Sequence, residues 1–132
     1  MKILIAEDDF ISRRILKEIL SRVGVCDIVM DGEEAFNAFR LAWVEGDPYD
    51  LVCLDIMMPN IDGKEALKRI RDLEKEIGIE GSSEVKVIMI TALGEPKTVV
   101  DSYYRAGTTS YIVKPIEKEK LLEEVRSLGL ID

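Results

Sequence analysis

The sequence predicts an α/β fold, a doubly wound sheet of five parallel strands with helices on both faces. Apolar segments of strand length alternate along the chain with amphipathic segments of helix length. The segment Leu51–Leu54 is apolar throughout, which is typical of a strand buried on both faces of a parallel sheet. The 132 residues, 47% of them hydrophobic, suffice for one core. We therefore expect a single domain over residues 1–132.

The first predicted strand is Lys2–Ala6, an apolar segment that stops at three acidic residues. A helix is expected from Phe10 to Val23, because its apolar residues recur at the spacing of one helical face. Asp9 or Ser12 could cap the start of this helix, since a short polar side chain can accept a backbone hydrogen bond, and capping is the preferred role of Asp9. The chain thus opens with a strand, an acidic turn and an amphipathic helix.

A second strand is expected at Val25–Met30, and a turn leads from it into a helix at Glu33–Val44. Trp43 in this helix is interpreted as a packing residue, because it lacks basic neighbours. An acidic segment with glycine and proline then breaks the helix. The third strand follows and ends abruptly at Asp55.

The third helix is predicted at Gly63–Gly78, with Arg69, Arg71 and Lys75 on a solvated face. A glycine- and serine-containing loop over residues 79–84 leads to a fourth strand at Val85–Ile90.

The fourth helix is predicted at Pro96–Ala106, where weak periodicity indicates marginal packing. A fifth strand at Thr108–Val113 and a last helix at Glu117–Leu128 complete the alternation. Right-handed crossovers then favour a doubly wound sheet, and the flavodoxin-like (βα)5 arrangement with strand order 2-1-3-4-5 is common for a chain of this length. This strand order rests partly on the resemblance described below.

Composition excludes several classes of function. Lys and Arg number 18 and Asp and Glu 26, so the net charge of −8 disfavours direct binding to nucleic acid. No segment approaches the ~20 apolar residues of a membrane span, and the first residues do not resemble a signal peptide. We expect a soluble cytoplasmic protein without membrane insertion. The absence of histidine removes histidine-dependent catalysis, and Cys26 and Cys53 are interpreted as buried reduced thiols.

Reactive side chains stand where the predicted strands end. Because the carboxyl ends of parallel strands meet at one edge, we expect these side chains to converge. They are Glu7, Asp8, Asp55, Thr91 and Lys114.

Clustered carboxylates repel one another unless a cation intervenes, and Mg²⁺ suits a site with few carboxylates and several waters. Its expected ligands are Glu7, Asp8, Asp55 and the backbone carbonyl of Met57, with Glu7 acting through a water or by its charge. Lysine and metal ion beside a carboxylate nucleophile form a phosphoryl-transfer arrangement. Asp55 is then the nucleophile, Lys114 pairs with the phosphoryl group and Thr91 donates a hydrogen bond to it.

The order and spacing of four motifs resemble a response-regulator receiver domain of the chemotaxis-regulator type, over residues from Lys2 to about Leu128. The motifs are Ala6-Glu7-Asp8-Asp9, Leu54-Asp55-Ile56-Met57-Met58-Pro59 with Asp62-Gly63, Ile90-Thr91-Ala92, and Tyr111-Ile112-Val113-Lys114-Pro115.

The resemblance implies that Asp55 accepts a phosphoryl group from a histidine kinase or phosphotransfer protein, with Mg²⁺ or Mn²⁺ as cofactor. Thr91, Ala92 and Lys114 would bind the phosphoryl group, and the bond before Pro115 would be cis. Thr91 and Tyr111 resemble the family's switch pair, which would alter the surface of the fourth helix, fifth strand and fifth helix for a downstream protein target.

The resemblance also places the kinase-docking surface on the first helix. Met57 and Leu93 are apolar where other members carry polar groups, which predicts slow self-dephosphorylation because an attacking water is poorly oriented.

Three other functions remain open. A phosphohydrolase with an aspartyl nucleophile would need a second acid where Met57 stands. A flavin- or nucleotide-binding module would need a glycine-rich phosphate cradle, which the segment Glu7–Asp9 lacks. An interaction domain that works without phosphorylation is the third. The chain ends at Asp132 directly after the last predicted helix, which fits either a stand-alone receiver or part of a larger regulator.

Overall fold

The computed structural model describes residues 1–92 and 110–132, and these contain one parallel five-stranded sheet in the order β2-β1-β3-β4-β5. The predicted fold class and strand order are confirmed. The strands are β1 (Lys2–Ala6), β2 (Val25–Val29), β3 (Leu51–Asp55), β4 (Lys86–Thr91) and β5 (Ser110–Val113).

The helices of the described part pack on both faces of this sheet. The helix predicted at Pro96–Ala106 falls outside the described residues, as does the start of the predicted fifth strand. The helical segments are α1 (Phe10–Leu20), α2 (Gly32–Val44), α3 (Gly63–Glu76), a short 3-10 turn (Gly81–Ser83) and the C-terminal helix (Lys118–Ser127).

An aspartate begins each of the first three helices. The Asp9 carboxylate accepts a hydrogen bond from the backbone N–H of Ser12, and Asp31 and Asp62 make the equivalent bonds at α2 and α3. The hydrogen bonds with Ser12 lower the pKa of Asp9. The caps fix where each helix leaves the carboxyl edge of the sheet.

Two apolar layers enclose the sheet, and alternate residues of β3 contribute to each. Val52 and Leu54 pack with α2 and α3, and Leu51 and Cys53 pack with α1 and the C-terminal helix. All five residues of β3 are buried. The prediction of a central strand buried on both faces is therefore confirmed, and Asp55 is carried at its end.

Two expectations about individual side chains are wrong. Arg71 does not lie on a solvated face; it is 8% exposed and forms an ion pair with the fully buried Glu74. Cys26 is only half-buried, because its strand β2 is at the edge of the sheet, whereas Cys53 is buried as expected. Both thiols are free.

Candidate functional site

The carboxyl edge of the sheet gathers side chains from the two adjacent strands β1 and β3 and from the edge strand β5. Glu7 and Asp8 follow β1, Asp55 is the last residue of β3, and Lys114 follows β5. The register brings these ends level, since Ala6 pairs with Leu54. The predicted convergence of these residues is present in the structure.

The three acids form one cluster, in which carboxylate oxygens of Glu7, Asp8 and Asp55 all lie within 4.8 Å of one another. Lys114 binds two of them: its Nζ lies 2.7 Å from Glu7 Oε1 and 3.2 Å from Asp55 Oδ2. Glu7 and Asp55 are buried, whereas Asp8 is exposed. The cluster is therefore open to solvent on the side of Asp8.

Burial dominates the electrostatics of Glu7. Loss of solvent, together with the hydrogen bond to Asp55 and its charge, raises the pKa of Glu7 to about 8 in spite of the opposing effect of Lys114. Burial acts to lower the pKa of Lys114, but its hydrogen bond with Glu7 and the charge of Asp55 outweigh burial and raise it. The surroundings thus favour the protonated form of Glu7 and the charged form of Lys114.

The residues present fit a hard divalent cation. Glu7 Oε2 is a buried oxygen without a hydrogen-bond partner in the described structure, which is costly unless a cation or water reaches it. The exposed Asp8 provides an approach from solvent, and three carboxylates are the oxygen donors that Mg²⁺ prefers.

The remaining predicted residues lie on the strands and the loop that meet at this edge. The backbone N–H of Met57 donates to Asp55 Oδ1 at 3.2 Å, and the Met57 side chain points into solvent, 72% exposed. Thr91 ends β4, where its buried hydroxyl donates to the carbonyl of Ala92. Tyr111 lies on β5 with about a third of its surface exposed. Thus the backbone of Met57, rather than its side chain, faces the acids.

Two further predictions concern positions near this edge. The bond between Lys114 and Pro115 is cis, as the resemblance implies. Leu93, which together with Met57 led to the prediction of slow self-dephosphorylation, lies outside the described residues.

The sequence did not predict a contact between the loop after β3 and the turn before α2. The side-chain amide of Asn60 donates to Asp31 Oδ2 at 2.8 Å, although the two residues are 29 positions apart. Asn60 also has a left-handed backbone, with φ of 61°. The signal available in the sequence was asparagine after proline, a common turn pair, but it does not indicate the partner.

The fold and this cluster define an α/β protein of the receiver class. The family model for the response regulator receiver domain matches residues 3–126, and the chain belongs to this family. The chain is 33% identical over 124 residues to the chemotaxis protein CheY of Bacillus subtilis (strain 168), covering 94% of this chain and 93% of that protein. It spans about half the length of several other curated relatives.

Solved structures agree with the assignment. A chain of the CheX–CheY–BeF3–Mg²⁺ complex from Borrelia burgdorferi has a TM-score of 0.83 and 31% identity, covering 98% of this chain and 89% of that one. The receiver domain of Ssk1 has been co-crystallised with the histidine phosphotransfer signalling protein Ypd1 of Saccharomyces cerevisiae. A chain of that complex has a TM-score of 0.82 and 28% identity, with coverages of 98% and 88%.

The chain is thus a receiver domain of two-component signalling, a family of signalling phosphoacceptors. Across residues 1–92 and 110–132, no helix combines the length and apolar character that crossing a membrane requires.

Proposed function

We propose that Asp55 accepts a phosphoryl group from a phosphohistidine donor, either a histidine kinase or a phosphotransfer protein, in a Mg²⁺-dependent reaction. The observation that carries the proposal is the cluster of Glu7, Asp8 and Asp55, bound by Lys114 at the carboxyl edge of the sheet. The Ssk1–Ypd1 complex, in which a receiver domain pairs with a histidine phosphotransfer protein, supports this class of donor.

Mg²⁺, or Mn²⁺ in its place, would be held by Glu7, Asp8, Asp55 and the main-chain carbonyl of Met57. Bound there, it supplies positive charge that stabilises the oxygens of a transferring phosphoryl group. The Mg²⁺ in the Borrelia burgdorferi complex supports this choice of cation. The buried oxygen of Glu7 gains a partner when the cation binds, which favours binding over the metal-free state.

The protein's own residues orient the reaction. Asp55 presents Oδ1 to the Met57 N–H and Oδ2 to Lys114, so its carboxylate plane is fixed before a donor arrives. Lys114 pairs with the incoming phosphoryl group, and Thr91 and Ala92 donate to its oxygens. In this proposal the domain catalyses only its own phosphorylation and a slow dephosphorylation.

Phosphorylation then changes a binding surface. The new oxygens draw the Thr91 hydroxyl inward, the Tyr111 ring follows, and the surface of β5, the C-terminal helix and the helix predicted at residues 96–106 gains affinity for a downstream protein. Amide hydrogen exchange over residues 92 to 112, compared between free and phosphorylated protein, tests this switch. Identical exchange in both forms would refute it.

Residues 1–132 act here as one receiver domain, and we place it in the cytoplasm, where it meets soluble phosphohistidine donors. Cell fractionation tests the location. A membrane or secreted fraction would contradict it.

The decisive experiment is the intact mass after brief incubation with Mg²⁺ and acetyl phosphate. The parent should gain one phosphoryl group and Asp55→Asn none. Asp50→Asn is the matched control, because Asp50 is the exposed aspartate at the opposite end of β3 and should behave as the parent. Modification of Asp55→Asn would overturn the assignment, and steady release of phosphate over many turnovers would instead favour a phosphohydrolase.

A further inference from the structure

The loop between β3 and α3, residues 56–62, carries the Met57 carbonyl and is held at its base by a close backbone contact. The Gly63 N–H donates to the Ile56 carbonyl at 3.1 Å. A Cβ on Gly63 would lie 2.4 Å from the Asp55 carbonyl oxygen, so only glycine allows this approach. This contact joins the two ends of the loop. The middle of the loop, around Asn60 and Ile61, is held by a second contact.

That second support is the turn between β2 and α2. The Gly32 N–H donates to the Ile61 carbonyl at 3.0 Å, and a Cβ on Gly32 would lie only 2.2 Å from that oxygen. Beside this contact the Asn60 amide donates to Asp31 Oδ2 at 2.8 Å. Loop and turn are therefore joined by a backbone bond and a side-chain bond at successive residues.

Asp31 is itself firmly placed. It is 8% exposed, and its other oxygen, Oδ1, caps α2 by accepting from the Glu34 N–H at 2.8 Å. The Glu34 carboxylate in turn accepts from the N–H of Met30, the residue before Asp31, which adds a second hydrogen bond at this helix start. Asn60 therefore bonds to a carboxylate that cannot swing away without uncapping α2.

The backbone of Asn60 needs this support. Its φ of 61° is a left-handed conformation that asparagine tolerates better than most residues but that still costs free energy. The conformation turns the loop back toward Gly32, with Met57 on the side of the acids.

We propose that Asn60 and Asp31 are positioning residues that hold the β3–α3 loop so that the Met57 carbonyl faces the acidic cluster, and that this contact sets the affinity of the site for Mg²⁺. The inference rests on the proposed function. Neither side chain touches the cation or the phosphoryl group; both act through the loop backbone.

Four variants separate the effect of this contact on Mg²⁺ affinity from the effects of charge and of overall stability. Asn60→Asp sets two carboxylates against each other, and Asn60→Gly keeps the left-handed backbone but removes the amide. The exchanged pair Asp31→Asn with Asn60→Asp restores a donor and an acceptor, with the new Asn amide donating and its carbonyl still capping α2. Asp31→Asn alone is the charge control, because rotation of the Asn60 amide restores the bond.

The readout is the dissociation constant for Mg²⁺ by calorimetry, with urea unfolding of each metal-free variant alongside. Loss of one hydrogen bond of about 1 kcal/mol predicts a roughly fivefold weaker affinity for Asn60→Gly. Asn60→Asp should also bind Mg²⁺ more weakly, although its added negative charge by itself would strengthen cation binding. The exchanged pair should return to within about twofold of the parent, a rescue that a merely structural role would not produce.

The outcomes distinguish failure of the proposed function from failure of the positioning role alone. A parent that neither binds Mg²⁺ nor gains a phosphoryl group at Asp55 overturns the proposed function and this inference together. A parent that does both, with Asn60→Asp and Asn60→Gly binding Mg²⁺ as tightly as it does, overturns the positioning role alone. Failure of the exchanged pair to recover affinity, while Asp31→Asn remains normal, also overturns it.

Discussion

Replacing Arg71 with methionine removes the positive half of a buried ion pair and leaves its carboxylate in place. Arg71 Nη1 lies 2.6 Å from Glu74 Oε1, with 10% of the arginine side chain and none of the glutamate exposed. The other oxygen of Glu74 accepts from the Val85 N–H at 2.7 Å, which ties α3 to the residue before β4. Without Arg71, the Val85 N–H still donates to that carboxylate but its counter-charge is gone.

Removing one partner of a buried pair costs about 3–5 kcal/mol. A loss of this size is a large share of the stability of an ordinary domain, roughly 5–15 kcal/mol, and lowers the melting temperature by on the order of 10 °C. The matched control is Arg69→Met, which breaks a pair with Glu65 whose members are 42% and 48% exposed. That change should cost less than about 1 kcal/mol.

Urea unfolding followed by the fluorescence of Trp43, the sole tryptophan, measures both variants. The double variant Arg71→Met with Glu74→Gln removes both charges but keeps an acceptor for the Val85 N–H, so it should recover most of the lost stability. Equal stabilities for Arg71→Met and Arg69→Met would refute the reasoning. So would a double variant no more stable than Arg71→Met.

Four further predictions follow from the site and its surroundings. Because the pKa of Glu7 is raised from 4.5 to about 8, the folded metal-free protein holds a proton that the unfolded chain releases. Its free energy of unfolding should therefore fall as the pH rises from 4.5 to about 8. Glu7→Gln should reduce this dependence on pH, as measured by urea unfolding at several pH values. Burial raises the pKa of Cys53 to about 12, so a thiol reagent should modify the half-buried Cys26 first in the native protein; equal rates would contradict this. Met57→Asn should shorten the lifetime of the phosphorylated protein, followed by intact mass, and an unchanged lifetime of seconds would contradict slow self-dephosphorylation. Gly32→Ala should cost about 2 kcal/mol in urea unfolding, because the new Cβ meets a backbone oxygen, and a neutral result would remove the close-approach argument.

The sequence predicts the acidic cluster well because its members are placed by topology alone. Asp55 ends a short, continuously apolar segment that is typical of a central strand, and Glu7 and Asp8 directly follow the first strand. A parallel sheet then brings these ends to one edge whatever the loops do. Lys114 is placed by the same rule, but its binding to both Glu7 and Asp55 depends on distances that the sequence does not contain.

The prediction that Arg71 is solvated was wrong because its burial depends on a contact between distant segments of the chain. Arg71 and Glu74 are three positions apart on a helix, a spacing typical of exposed ion pairs. Their burial depends on the approach of Val85, which follows a loop and lies eleven residues beyond Glu74. In the same way Asn60 is recognisable as a turn residue, but its partner Asp31 belongs to a different turn. Contacts between loops are set by the assembled sheet, not by local pattern.

Lys114 links the chemistry of the site to the edge of the sheet. Its ammonium group is shared between Glu7 and Asp55, and its backbone N–H donates to the Thr91 carbonyl at 2.7 Å. In the proposed reaction, the phosphoryl oxygens compete with the carboxylates for this ammonium group. The bound Mg²⁺ would then supply the counter-charge for Glu7. Lys114 directly follows β5, the strand that carries Tyr111. The residue that neutralises the acids is thus also the covalent connection from the acidic cluster to the proposed binding surface.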